Sequence, residues 1–371
     1  MTTLTDAQVR ALPKVELHVH VEGAVKPATI ADLARRNGVD LGVADLAELY
    51  HYRDLTDFLR VFDLVCRSLR TADDLHRVTF EALAIAAAAG VRRREMFFSP
   101  TFLMRHGVAF DEIWRGIAAG VRDAEAEHDI ACRMILDVHK PAGPGAALEL
   151  IELAAGCDRD LLIGIGGDAG ETGIDLLAFA PAFEHARRLG FRTTMHLGEE
   201  GPASDIATGV HVLGLDRIDH GATLIDDPQL LAEVVDRQIA LTVCPTSNVS
   251  IGIVESIAAH PVQRFIDAGV LVTVNSDNAE MFRVDVADEL CALRDAFGWD
   301  AEQLRATCLA GVDAAWLDDL ERHELRAAFE RDIASIIDAG DAGDAGDGRD
   351  GRDGRDGRDG RDDSDGDNGL A

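Results

Sequence analysis

Short runs of apolar and β-branched residues alternate along the chain with longer stretches of helical periodicity. Eight runs read as strands: VELHVHV (15–21), REMFFSPTF (94–102), CRMILDV (132–138), DLLIGIGG (160–167), RTTMHLGE (192–199), DRIDHG (216–221), IALTVCPTS (239–247) and VLVTVNSD (270–277). Between them, ATIADLARRNG, LHRVTFEALAIAAAAG, LAFAPAFEHARRLG and PQLLAEVVDRQ space apolar residues three and four apart, and several end at Gly. Eight strands alternating with helices predict an α/β fold, a parallel (β/α)₈ barrel of the TIM type. An open, doubly wound sheet is the rival. Against it, no G-x-G-x-x-G follows the first strand, and polar residues gather at the strand ends. The long gap between the first two strands contains YHYRDLTDFLRVFDLVCRSL, which predicts extra helices over the C-terminal mouth of the barrel. Residues 301–336 read as closing helices.

From about Ala339 the pattern stops. The Gly/Asp/Arg repeat DAGDAGDGRDGRDGRDGRDGRDDSDGDNGLA has almost nothing to bury, so the expectation is a barrel over 1–338 and a disordered, solvated tail over 339–371. The remaining composition is that of a globular, soluble chain: 371 residues, 47% hydrophobic and 28% charged. Sixty-seven acidic against 36 basic side chains leave a net charge of −31. The tail carries only a small part of that excess. So acidic a surface repels phosphate backbones and anionic lipid, which excludes nucleic acid and membrane as expected partners. No run of about 18 apolar residues and no signal peptide are visible, so the cytoplasm is the expected compartment. Six cysteines at 66, 132, 157, 244, 291 and 308 form no C-x-x-C pair and read as small buried residues of a reducing compartment. Oligomeric state is not specified by the sequence.

Barrel enzymes carry their chemistry at the C-terminal ends of the strands. The first strand ends in His18-Val19-His20-Val21-Glu22-Gly23, and strand alternation places His18 and His20 on one face. The fifth ends in His196-Leu197-Gly198-Glu199-Glu200, the sixth in Asp219-His220-Gly221 and the eighth in Asn275-Ser276-Asp277-Asn278. The other nine histidines fall mostly in helices or loops. Among them His139, just after the third strand, is expected to be structural. Imidazoles converging with a carboxylate suit catalytic zinc better than calcium or magnesium, which prefer oxygen shells.

Taken together, KVELHVHVEGAVKPATI, MHLGEEG, RIDHGATL, CPTSN and NSDNAEMF resemble the adenosine/adenine deaminase family of amidohydrolase barrels, in register from about Leu12 to Phe282. H-x-H is common to many metal-dependent hydrolases, whereas H-x-G-E, then D-H-G, then S-D in this order is much more specific. The resemblance implies one zinc ion per chain held by His18, His20, His196 and Asp277. It implies Glu199 as proton donor to the purine ring nitrogen, and His220 as the residue orienting the attacking hydroxide. Substrate contacts implied in the same way are His20, Glu22 near the sugar or ring edge, a backbone amide near Ala169 or Gly170 at N3, and Asn278 at N7. Phe58 and Phe62 would belong to an apolar lid. Phe98-Ser99-Pro100 matches a second-strand segment of the family.

Three positions depart from the family pattern. Asn278 stands where a second Asp is usual, Glu22 is one methylene longer than the Asp of adenosine enzymes, and Asp168-Ala169 replaces Ala-Gly. The leading expectation is zinc-dependent deamination of a 6-aminopurine nucleoside, adenosine or deoxyadenosine to inosine and ammonia. Adenine and aminodeoxyfutalosine are the alternatives within the same reaction. A barrel hydrolase of amides or phosphoesters would usually bridge two metals through a carboxylated lysine, and lysine is absent from strands three to eight. A metal-stabilised binding protein is the non-catalytic alternative; the presence of the proton donor beside every expected ligand argues against it.

Overall fold

A computed structural model describes residues 3–344, with side chains through residue 339. Eight barrel positions are filled in chain order. The first strand is Lys14–Glu16, the second Val91–Phe98, the third Ala131–His139 and the fourth Leu162–Asp168. The fifth is split into Arg192–Thr193 and His196–Leu197; Arg217–His220, Ala240–Val243 and Val272–Val274 complete the set. All named pairs are parallel. The split does not open the ring: the Thr194 amide donates to Ile165 O at 3.0 Å, and the Asp219 amide to Met195 O at 3.0 Å. Closure comes from the first-strand extension, where the His20 amide donates to Asp277 O (2.9 Å) and the Asp277 amide to His18 O (3.1 Å). The expected barrel is therefore the observed fold, with every strand but the third shorter than its predicted run. Ser99–Phe102 and Pro245–Ser247, read as strand ends, turn instead into helices Pro100–Met104 and Pro245–Ser250. In both, proline sits at the first helical turn, where its missing N–H costs nothing.

The helices follow the predicted segments. Pro27–Arg36, Ala72–Ala88, Ala180–Arg188 and Pro228–Asp236 flank the strands. Helix Leu55–Ser68, capped by Asp54 on the Asp57 amide, buries Phe58, Val61, Phe62 and Val65. The closing helices are Ala301–Ala314 and Asp319–Asp344. The last of these runs on past residue 338 into the start of the expected tail, ending at Asp344. The rest of the expected tail lies outside the described residues. No helix among the described residues is long and apolar enough to cross a membrane.

Beneath the site the barrel interior holds paired charges. Arg217 donates to Glu95 at 2.8 Å with its guanidinium 4.0 Å from the Trp316 ring, and Arg93 Nη2 donates to the same Glu95 carboxylate at 3.5 Å. Unpaired, these buried charges would be strongly destabilising; paired, they plug the barrel.

Candidate active site and metal centre

Four predicted residues converge at the C-terminal mouth. One ligand atom from each of His18, His20, His196 and Asp277 lies within 4.8 Å of the others, and all four residues are buried. His20 Nε2 and His196 Nε2 are 3.1 Å apart; Asp277 Oδ1 is 3.5 Å from His18 Nε2 and 3.4 Å from His20 Nε2. The neighbours settle which ring nitrogens face inward. His196 Nδ1 lies 3.0 Å from the Gly167 carbonyl, which only accepts, so it carries the proton. His18 Nδ1 lies 3.0 Å from Thr242 Oγ1, whose hydroxyl is spent on Asp219 at 2.8 Å, so it too is a donor. His20 Nδ1 faces Asp137 Oδ2 at 3.5 Å. Three bare Nε2 lone pairs and a carboxylate oxygen are thus left facing one point, and His18 Nε2 has no hydrogen-bond partner despite full burial. Such a set repels itself unless a cation sits between its members. Burial, then mutual repulsion with neighbouring imidazoles, holds His18 and His196 well below the usual histidine range, and burial lowers His20; the neutral rings are the ligand form. The donor set fits a divalent ion of the zinc type.

A second group, His18, His220 and Cys244, also clusters. It is a poor metal site, because burial pushes the Cys244 thiol well above its usual range and thiols bind metals as thiolates. Lys140, the first residue beyond the third strand, donates Nζ to the His196 carbonyl at 2.6 Å and is no member of either cluster. His139 stays outside both as well, with Nδ1 3.2 Å from Asp168 Oδ1 and its ring against Phe102.

Backbone geometry aims these groups. His220, Asp277 and Ala169 all adopt left-handed φ (62°, 59° and 69°), conformations that cost free energy outside glycine and concentrate at functional sites. Gly166 has to lack a side chain, since a Cβ there would lie 2.2 Å from Asp137 Oδ1 behind His20.

Glu199 and His220 stand together beside the cluster, with Glu199 Oε1 3.6 Å from His220 Nε2. Burial raises the Glu199 carboxyl to about 7; Asp277 and Glu171 push the same way, while His220 and Lys140 oppose them. Its loop is held by a residue that pattern reading missed. Glu171, buried beyond the fourth strand, accepts amide hydrogens from Gly198 (2.8 Å), Glu199 (2.9 Å), Glu200 (2.9 Å) and Gly201 (3.1 Å). Replacing it would leave four inward amides without an acceptor. Glu171→Ala should lower unfolding free energy by at least about 2 kcal/mol, read as a denaturant midpoint shift with unchanged slope; an unshifted midpoint would remove it as the loop anchor.

The cavity over the cluster, open mouth included, spans about 480 Å³. Its polar wall is His20, Asp168, His196, Glu199, His220, Ser247, Asp277 and Asn278; the remainder is Leu55, Phe58, Leu59, Phe62, Phe102, Ala169, Ile251 and Phe282. The phenylalanines of helix Leu55–Ser68 therefore cover the mouth. Asn278 donates to Asp277 Oδ1 at 2.6 Å, which leaves its second N–H free, and Oδ1 packs where a Cβ on Gly23 would intrude at 1.8 Å. Two expected contacts are placed differently. Glu22 does not reach the wall: it is fully buried behind Ser99, accepting that amide at 2.9 Å, and burial raises it to about 7. Ser99 in turn donates to Asp168 Oδ2 at 2.6 Å, and it is Asp168 that faces the cavity. Gly170 lies off the wall beside Glu200, whereas Ala169 is on it.

A family model described as adenosine deaminase matches residues 13–331. The chain is 37% identical to an adenine deaminase of Streptomyces coelicolor over 325 residues, covering 87% of this chain and 95% of that protein. Among solved structures, an adenine deaminase from Arthrobacter aurescens superposes with a TM-score of 0.83 at 30% identity, covering 88% of this chain and 99% of the other. An amidohydrolase from Burkholderia ambifaria with bound Zn gives 0.85 at 32% identity, covering 90% and 94%.

Proposed function

Because the chain belongs to the adenosine deaminase family, we propose that it hydrolyses the 6-amino group of free adenine, yielding hypoxanthine and ammonia. The relatives named adenine deaminase support the base over the nucleoside that the sequence motifs put first. The observation that carries the choice is the cavity wall. Apart from the ligands and from Glu199, His220, Ser247 and Asn278 beside them, it offers Leu55, Phe58, Leu59, Phe62, Phe102, Ile251 and Phe282, with Asp168 as the single polar side chain among the described residues, too few groups to receive the hydroxyls of a ribose. Burying those hydroxyls unpaired would cost about 1–3 kcal/mol each. Asp168 adds a matching acceptor: a free purine carries a ring N–H where a nucleoside carries its sugar.

In this reading His18, His20, His196 and Asp277 hold one zinc ion. A zinc ion so held supplies one thing, a water whose pKa falls toward about 7. The chain's own groups do the rest. The free N–H of Asn278 meets N7, the apolar walls exclude bulk water, and protonated Glu199 donates to N1 as C6 is attacked. The Glu199 carboxylate so formed takes the proton left by the attacking oxygen and delivers it to the departing amine. One water hydrogen ends on N1 and the other leaves with ammonia. His220 directs the attacking oxygen through its Nε2 edge.

The test is a comparison of kcat/KM for adenine, adenosine and deoxyadenosine with zinc-loaded protein. Adenine should lead by at least about 100-fold, the discrimination expected when a polar substrate group has no partner. Preference for adenosine would overturn the base assignment and leave the reaction class standing.

A further inference from the structure

Asn248 lies in helix Pro245–Ser250, beyond the seventh strand, and its side chain is fully buried between Glu199, His220 and His260. Each end of that amide has a different neighbour. Nδ2 is 3.3 Å from Glu199 Oε1 and 3.2 Å from His220 Nδ1; Oδ1 is 3.3 Å from His260 Nε2. His260 is itself buried, and its Nδ1 accepts the Val262 amide hydrogen at 3.1 Å. A backbone N–H has only one polarity, so the direction of every bond in the chain follows from it. His260 Nδ1 must be a lone pair, so its single ring proton is on Nε2; burial lowers His260 to about 4 and keeps it neutral. Nε2–H must then find an acceptor, which orients Asn248 with Oδ1 toward His260. The two amide hydrogens of Nδ2 are left for the two acceptors opposite them, Glu199 Oε1 and His220 Nδ1.

We propose that Asn248 and His260 are positioning residues that hold His220 in its Nε2–H tautomer and leave the Glu199 proton on Oε2. This rests on the reading that Glu199 and His220 act on the substrate. It deepens that reading by dividing their labour. With Nδ1 occupied as an acceptor and Nε2 already protonated, His220 has no lone pair to take a proton from the attacking water. It donates a hydrogen bond to the attacking oxygen and to the negative charge that grows there, as an oxyanion donor does. Proton transfer belongs to Glu199 alone, whose Oε1 is engaged by Asn248 and whose Oε2 carries the exchangeable proton.

Neutron diffraction from perdeuterated, zinc-loaded protein reads this directly. Deuterium is expected on Nε2 and absent from Nδ1 in both His220 and His260; deuterium on His220 Nδ1 would overturn the relay. Kinetics supply the second arm. Asn248→Ala should cut kcat for adenine by about 10- to 100-fold with little change in KM and with the zinc retained, the scale typical of groups that orient active-site residues. His260→Gln, whose amide N–H can stand in for Nε2–H, should keep most of the wild-type kcat, whereas His260→Leu should fall with Asn248→Ala. Equal loss in both His260 variants, or an unimpaired Asn248→Ala, contradicts the proposal. Wild-type protein that turns over no 6-aminopurine would instead overturn the reaction reading, and the neutron positions would still decide the relay.

Discussion

Glu199→Gln should reduce kcat for adenine by at least about 100-fold, the lower range for loss of general acid–base catalysis, with KM and metal content little changed. The reasoning is local. Gln keeps the shape of Glu199, its carbonyl oxygen can still accept from Asn248 Nδ2, and its amide can still donate a hydrogen bond toward N1. It has no proton to transfer. It also lies outside the four-residue ligand cluster, so metal binding should survive. The pH profile sharpens the test. Burial raises Glu199 to about 7, and the protonated form is the active one, so activity is present below that value and lost as pH rises through it. Wild-type kcat/KM should therefore fall on the alkaline side of about pH 7, and that limb should vanish in the Gln variant. Near-normal turnover in Glu199→Gln would remove this residue from the mechanism.

Loss of a ligand should be the larger effect. His196→Ala or Asp277→Asn should lower turnover by at least about 1000-fold, because the pKa of the attacking water returns toward its bulk value of about 15.7. The two substitutions differ structurally. His196 holds only the Gly167 carbonyl besides its inward Nε2, so its removal leaves the barrel ladder intact. The Asp277 side chain also accepts from Ser247 Oγ at 2.6 Å, and its backbone closes the barrel against His18 and His20. Asn at 277 preserves that backbone pairing and the side-chain volume while removing the charge. Both variants should purify folded, with zinc content well below one per chain. Full activity in either would break the ligand assignment.

The strand ends explain why so much of the site was readable from sequence. A parallel barrel aligns all strand C-termini at one mouth, so histidines at 18, 20, 196 and 220 had to meet once the eight-strand alternation was recognised. Residues that support those groups left no such signature. Glu171 anchors the Glu199 loop from a turn after another strand, and His260 acts on His220 through Asn248, across contacts that local periodicity does not encode. Asn248 sits inside the CPTSN segment, yet nothing in that string says which way its amide points. Glu22 shows a related limit: the resemblance puts it among the substrate contacts, and in the folded chain it accepts the Ser99 amide behind the cavity wall, a contact that no local pattern encodes. The split in the fifth strand at Thr194–Met195 was likewise invisible, because no Gly or Pro interrupts the run from Arg192 to Leu197. Substrate choice turned on the phenylalanine-rich wall, whose members come from four separate segments and meet only in the folded chain.

The central claim is that four distant side chains assemble one functional cation site. It is tested most directly by stripping the purified protein with a chelator and titrating zinc back while following adenine deamination. The account predicts that activity vanishes on stripping, returns linearly with added zinc and saturates at one equivalent per chain. Stripped protein that keeps its turnover, or recovery that needs two equivalents, would contradict it.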